Sequence, residues 1–570
     1  MKEYFEAEMR LLRDSAQEFA EAYPEQAAML NLNTVKDRDP YVERLLEGMA
    51  FLTAKIRERI DDGVPELSEN LLDQINPALC RSYPSHTLVQ FSPSRQSKKT
   101  VEIKQGTSLS TSQVGPEDIR CEYMTTSALQ LQPIVISGAS ATDRLGGGTQ
   151  IQIEIQKIST FEWQDLDLSK LLVHLHCDRA LAYALYECLT YGQRWISVDV
   201  AGQVQSDRVG CKPALLRPYD SLLPITSRGH AAFNLLHDYF NARDKFLFIE
   251  FNGFEPQEWQ QSSIKLTLII ESSVTLPAGH NIGKNTFQLN CVPAINLFET
   301  QTEPVVLNGK LPDYPLIVDH SYRNCANVYS VKQVVGRNPQ TGQTREFIPL
   351  QDLTYRRASD PTYAIHTRSS ATGAKRTFIS VSGRELLVAE ILSVDILASN
   401  ENYPRQYLEI GALEQLSGEV EQGIKVQNIT RPSRMYRAPE IHDYQWQLIS
   451  MMSLNLSSLG EVNKLQTLLS LFDWSDQEEN RNRILAIEKI DVQLMHKIAK
   501  GVLCQGLEIS LEIKESGFSS KADMYLFGTV LHQFFTDYAN ITEYVETKIT
   551  ALPSYKEWSW KPSMGKRLII

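Results

Sequence analysis

The segment DPYVERLLEGMAFLTAKIRERI, residues 39–60, constrains the fold more than any other stretch of the chain. Its large apolar residues Val42, Leu45, Met49, Leu52, Ile56 and Ile60 recur every three or four positions. On a helix that spacing draws one continuous apolar stripe, which must be covered by something. Asp39 stands where an N-cap accepts free backbone N–H groups, and Pro40 suits the first helical position. Leu46 and Phe51 widen the stripe, and Gly63 with Pro65 is expected to stop the helix.

Upstream, Phe5, Met9, Leu12, Ala16, Phe19 and Tyr23 draw a second stripe that ends at Pro24. Downstream, Leu67, Leu71, Leu72 and Ile75 predict a shorter helix before Pro77. A bundle this small has too much surface for its volume to bury all of these side chains. Either the chain's own sheets cover the stripes, or helices of other chains do. Alternating spacings of three and four suit helix-on-helix packing, and the pattern alone leaves both coverings open.

Residues 83–440 read mainly as strands. IQIEIQKI (151–158) alternates isoleucine with polar residues, and LLVHLHC (171–177), ISVDV (196–200) and IKLTLII (264–270) are similar runs. Turn signals such as LGGG (145–148) separate them. Helices are predicted at 178–189, with Asp178 as cap, at 231–240, at 461–472 and at 480–490, and a long one at 524–546. The chain is therefore expected to be an α+β multi-domain protein. Its divisions are an N-terminal helical bundle segment (1–82), two β-sandwich-like middle domains (83–280 and 281–440) and a mixed α/β C-terminal domain (441–570).

Composition excludes several roles. A formal net charge of -12 argues against a nucleic-acid binder, which needs a basic excess or stripe. No run of apolar residues is long enough to span a bilayer, and MKEYFEAEMR lacks the apolar core of a signal peptide. The eight cysteines form no CxxC pair, which suits free thiols in a reducing cytoplasm. There is no phosphate-binding glycine loop, no nucleophile elbow and no HExxH. The best metal candidate is His174, His176 and Asp178, which would share one face of a strand as a metal requires. Asp178 is also wanted as a helix cap. The alternative reading as a metal-dependent hydrolase rests on these three residues; another is a carbohydrate- or peptide-binding β-sandwich whose helices merely brace it.

Two long strings carry a family likeness. YFEAEMRLLRDSAQEFAEAYPEQAAML and DRDPYVERLLEGMAFLTAKIRERIDDGVPELSENLLDQINPAL resemble the opening of TssF, the baseplate wedge family of bacterial type VI secretion systems. LHCDRALAYALYECL (175–189) and YLFGTVLHQFFTDYANI (525–541) are similar to later segments of that family, while PALCRSYPS (77–85) and ANITEY (539–544) depart from its pattern. The resemblance implies a structural, non-enzymatic, cofactor-free protein in the bacterial cytoplasm. Other subunits would hold it at the inner face of the inner membrane. It implies two copies joined to one TssG in a shared helical bundle, TssK and TssE as further partners, and a place around the VgrG hub. On that expectation Phe5, Leu12, Phe19, Val42, Leu45, Met49 and Leu52 line the seam between subunits.

Overall fold

A computed structural model describes residues 2–24, 40–94, 96–206, 208–224, 231–277, 279, 281–308, 311–322, 325–350, 360–369, 375–382, 390–417, 423–439, 444–499 and 502–566. The chain forms two compact units, one of Met1–Cys80 with Glu440–Met452, the other of Arg81–Pro439 with Ser453–Ile570. The architecture is mixed α+β, with helices at the N-terminus and a β-rich body.

In the first unit, α1 spans Lys2–Ala22 and α2 spans Pro40–Ile75. The expected cap Asp39 lies outside the described residues. The stop expected at Gly63 and Pro65 does not occur: α2 continues through both and absorbs the separate helix expected after them. A proline removes one backbone donor and disturbs the turn before it, but intact turns on either side can hold the helix together. A short 3-10 turn, Pro77–Cys80, closes the segment.

The second unit is built from sheets whose strands come from distant parts of the chain. One six-stranded sheet runs Leu413–Leu416, Ser108–Val114, Ile119–Thr125, Cys291–Ile295, His86–Ser92 and Lys425–Asn428. Its core contains Val89, Phe91, Leu109, Tyr123, Val292 and Leu413, contributed in alternation because successive side chains on a strand face opposite ways. The alternating run near 151 is the strand Thr149–Lys157, paired with Ile134–Asp143 and Lys265–Ser272, with Ile151, Ile153 and Ile155 buried. A further eight-stranded sheet occupies the stretch from Phe298 to Ser399.

The C-terminal sheet is ordered Ile487–Ala499, Val502–Lys514, Glu543–Leu552 and Lys556–Met564. Its two central strands are parallel, and the helix Lys521–Tyr538 makes the crossover that a parallel pair requires. Two expected helices are shorter here than predicted. The one placed at 480–490 spans Glu478–Leu485, because Ile487 already pairs with Ile513. The one placed at 524–546 stops at Tyr538, because Glu543 onward joins the sheet. Stacked rings of Phe233 and Phe472, 5.4 Å apart, and of Phe534 and Tyr538, 5.5 Å apart, gather three helices into one aromatic core.

Three buried carboxylates of the second unit have close partners. Asp238 accepts from Lys245 Nζ at 2.6 Å, from the Tyr83 hydroxyl at 2.9 Å and from the Leu222 N–H at 3.1 Å. Asp523 accepts from Arg483 through Nε at 3.1 Å and through its NH2 nitrogen at 2.7 Å. Glu187 accepts from Trp558 Nε1 at 2.9 Å and from Lys556 Nζ at 2.6 Å, which ties the last strand to the helix Arg179–Thr190. The Trp560 ring stacks on Tyr525 at 5.6 Å, so both terminal tryptophans are docked.

Candidate assembly interface

The helical unit has two unlike faces. Arg13 reaches Glu43 at 3.0 Å and Arg57 reaches Glu8 at 2.8 Å, so α1 and α2 run antiparallel. Between these bridges lie Met9, Ala50 and Ala54, all buried. Ala50 and Ala54 are four residues apart on one face of α2, where small side chains let the two backbones approach. The large apolar residues lie elsewhere. At about 100° per residue, Leu45, Met49, Leu52 and Ile56 cluster about 150° round α2 from the alanines. They are 67%, 49%, 61% and 59% exposed. Four adjacent large apolar side chains in water, on one helix, are a patch of the kind that marks an interaction surface.

Of the residues nominated from the sequence, Leu45, Met49, Leu52 and Phe19 are exposed, and Phe5 and Leu12 are half-buried. The side chain of Val42 lies outside the described residues. The pattern missed the alanine seam, because alanine adds little to an apolar stripe. It also missed Leu11, exposed and off the stripe of α1, and Tyr41, exposed and four positions before Leu45 on the same face of α2.

The rival metal site does not assemble. His174 lies on the strand Lys170–Leu175, its ring 4.7 Å from that of Phe248 and 5.9 Å from that of His176. Burial and the neighbouring His176 push the His174 imidazole down to about 3. Asp178 lies beyond the strand and caps the helix Arg179–Thr190, accepting from the N–H groups of Ala180 at 3.0 Å and Leu181 at 3.4 Å. Among the described residues, no group of three or more His, Cys, Asp or Glu could hold a metal ion. Asp178→Ala is expected to cost about 1 kcal/mol through the lost cap. Urea denaturation of the variant checks this, and an unchanged midpoint contradicts it. Among the described residues, no helix is long and apolar enough to cross a membrane.

Comparison with known proteins points to a structural assembly. The family model described as "Type VI secretion system, TssF" matches residues 1–567. The type VI secretion system component TssF1 of Pseudomonas aeruginosa is 27% identical over 633 aligned residues, which cover 99% of this chain and 98% of that protein. A chain of the TssK-TssF-TssG baseplate subcomplex solved by cryo-electron microscopy is 26% identical, with a TM-score of 0.77 over 92% of this chain and 99% of that one. A chain of the baseplate complex from the type VI secretion system is 25% identical, with a TM-score of 0.65 over the whole of both chains. A match along nearly the entire length, in sequence and in fold, leaves one conclusion: the chain belongs to the TssF family, the structural subunits of the type VI secretion baseplate.

Proposed function

We propose that this chain is the wedge-forming subunit of its baseplate, with two copies joined to one TssG. In this reading Phe5, Leu12, Phe19, Val42, Leu45, Met49 and Leu52 form the seam between subunits. TssK and TssE attach to the wedge, which surrounds the VgrG hub on the cytoplasmic side of the inner membrane. The role is mechanical: the wedge holds the baseplate together and nucleates the contractile tail.

The observation that carries the reading is the exposed stripe Leu45, Met49, Leu52 and Ile56 on the face of α2 turned away from its alanine seam. The likeness to a chain solved with TssK and TssG supports the choice of partner. Full burial of each such side chain contributes about 1.5–3 kcal/mol before the costs of association. One seam residue is thus worth a tenfold change in affinity or more, at about 1.4 kcal/mol per factor of ten. Two identical chains around one TssG meet different surroundings, so one sequence must satisfy two environments.

Leu45→Asp puts a carboxylate into the seam. Because position 45 is exposed in the single chain, the variant is expected to fold normally and to lose co-purification with TssG. Circular dichroism and a pull-down from co-expressing cells measure the two properties. Unchanged recovery of TssG would place the seam elsewhere.

A further inference from the structure

Two buried arginines share one buried counterion. Asp523 accepts from Arg483 Nε and from one terminal nitrogen, and its other bonds go to Ser519. Arg243, 8% exposed, has the neutral side chain of Asn480 as its hydrogen-bond acceptor. That amide cannot turn away, because its nitrogen is held by the Phe240 carbonyl at 3.1 Å and by Asp473 at 2.9 Å. Arg243 Nε and Nη1, Arg483 Nη1 and the Tyr239 hydroxyl are buried with no hydrogen-bond partner among the described residues.

These groups converge, although they come from separate elements. Tyr239 is on the helix Ala231–Asn241, Arg243 opens the turn after it, and Arg483 is on Glu478–Leu485. Arg243 Nη1 stands 3.6 Å and Arg483 Nη1 3.5 Å from the same atom, Oε2 of Glu479. Both distances exceed a good hydrogen bond, and the Glu479 side chain is 62% exposed. The Arg243 guanidinium lies over the Tyr239 ring, 5.1 Å from its centre, and the Tyr239 hydroxyl feels both guanidiniums and Asp523. Tyr183 lies beside Arg243 without reaching hydrogen-bond geometry.

The interior here holds two guanidiniums against one buried carboxylate, and a buried charge without a partner is strongly disfavoured. We infer that a small monovalent anion, with chloride as the simplest case, binds between Arg243 and Arg483 and accepts from their unpartnered N–H groups and from the Tyr239 hydroxyl. An anion supplies the missing charge and only accepts hydrogen bonds, while guanidinium nitrogens only donate. A water would bring two hydrogens that the guanidiniums cannot accept. Glu479, on the solvent side, competes with the anion for the same two nitrogens. The site lies wholly within the second unit and does not depend on partner subunits.

Urea unfolding of the full-length chain tests it, with sodium chloride replacing sodium gluconate at constant ionic strength. Above the dissociation constant, each tenfold rise in chloride is expected to raise the folded-to-unfolded ratio about tenfold, the mark of one site. Tyr239→Phe keeps the ring under Arg243 and removes only the hydroxyl. It is expected to weaken chloride binding about tenfold, as for a lost hydrogen bond to a charged group. In gluconate the same variant should be no less stable than the parent, because a buried hydroxyl without a partner contributes nothing there. Glu479→Gln, at an exposed position, is expected to tighten chloride binding by about threefold or more, since the competing carboxylate is gone. Stability independent of chloride overturns the inference, and so does a chloride dependence identical in the parent and both variants. Tyr239→Phe losing as much stability in gluconate as in chloride also overturns it, since the hydroxyl would then serve packing or a water.

Discussion

Acidification from about pH 7.5 to about pH 5 is expected to destabilise the β-rich unit by about 6 kcal/mol. Three buried histidines carry the effect. Burial pushes His174 and His237 down to about 3 and His532 to about 4, from an ordinary value of 6.5. His174 lies beside His176 and Phe248; His237 lies among Tyr83, Asp238, Phe472 and Trp474; His532 bonds Thr547 at 3.0 Å. Below 6.5 the unfolded chain binds protons that the folded chain refuses, so stability falls as pH falls. The loss continues until each folded imidazole itself titrates, near 3 or 4. At about pH 5 each group accounts for about 2 kcal/mol. His86 and His176 are lowered too and act in the same direction. Asp537, raised by burial, acts in the opposite direction. A typical domain has only about 5–15 kcal/mol of stability, so the urea midpoint should fall steeply across this range. A midpoint independent of pH between these limits would refute the assignment.

Removal of the Asp523 carboxylate should be nearly as damaging. Asp523→Ala leaves the Arg483 guanidinium, 2% exposed, without its bidentate acceptor. Glu479 is the nearest alternative, but it stands 3.5 Å from that guanidinium and is mostly in solvent. Ser519 loses its bonds to Asp523 as well, through both its N–H and its hydroxyl. Breaking one half of a buried pair typically costs about 3–5 kcal/mol, because the remaining charge stays desolvated. The exposed pair Lys489–Glu512 is a matched control, expected to cost under about 1 kcal/mol when broken. Denaturation midpoints of Asp523→Ala and Glu512→Ala decide the matter; equal losses would mean that Arg483 finds water or another acceptor.

Local rules worked where the decisive partner lies within a few residues. The alternation of Ile151, Ile153 and Ile155 is a property of one strand, and the Asp178 cap needs only the next three residues. The apolar spacing of α2 is equally local, so the stripe was legible, but whether the chain's own sheets cover it was not. Long-range pairing was not legible. The run from Asn480 to Ile490 is acceptable as helix throughout, yet its end becomes strand because Val502–Lys514 supplies a ladder. The stretch after Tyr538 has the same cause, the parallel pairing of Glu543 onward. Nor does any local pattern in His86–Ser92 reveal that its neighbours are Cys291–Ile295 and Lys425–Asn428. At the interface, the stripe could be seen but not the alanine seam that decides which way it turns.

The bond from Trp558 and Lys556 to Glu187 also sets an order of events during synthesis. Glu187 is 3% exposed, and its acceptors stay without these partners until the strand Lys556–Met564 has left the ribosome. Sheets whose strands are so widely separated in sequence form late and slowly. A prematurely terminated polypeptide therefore carries a buried carboxylate with no cation and an unfinished sheet, both of which invite degradation. Translation must pass Trp558 before this sheet and the partners of Glu187 are complete.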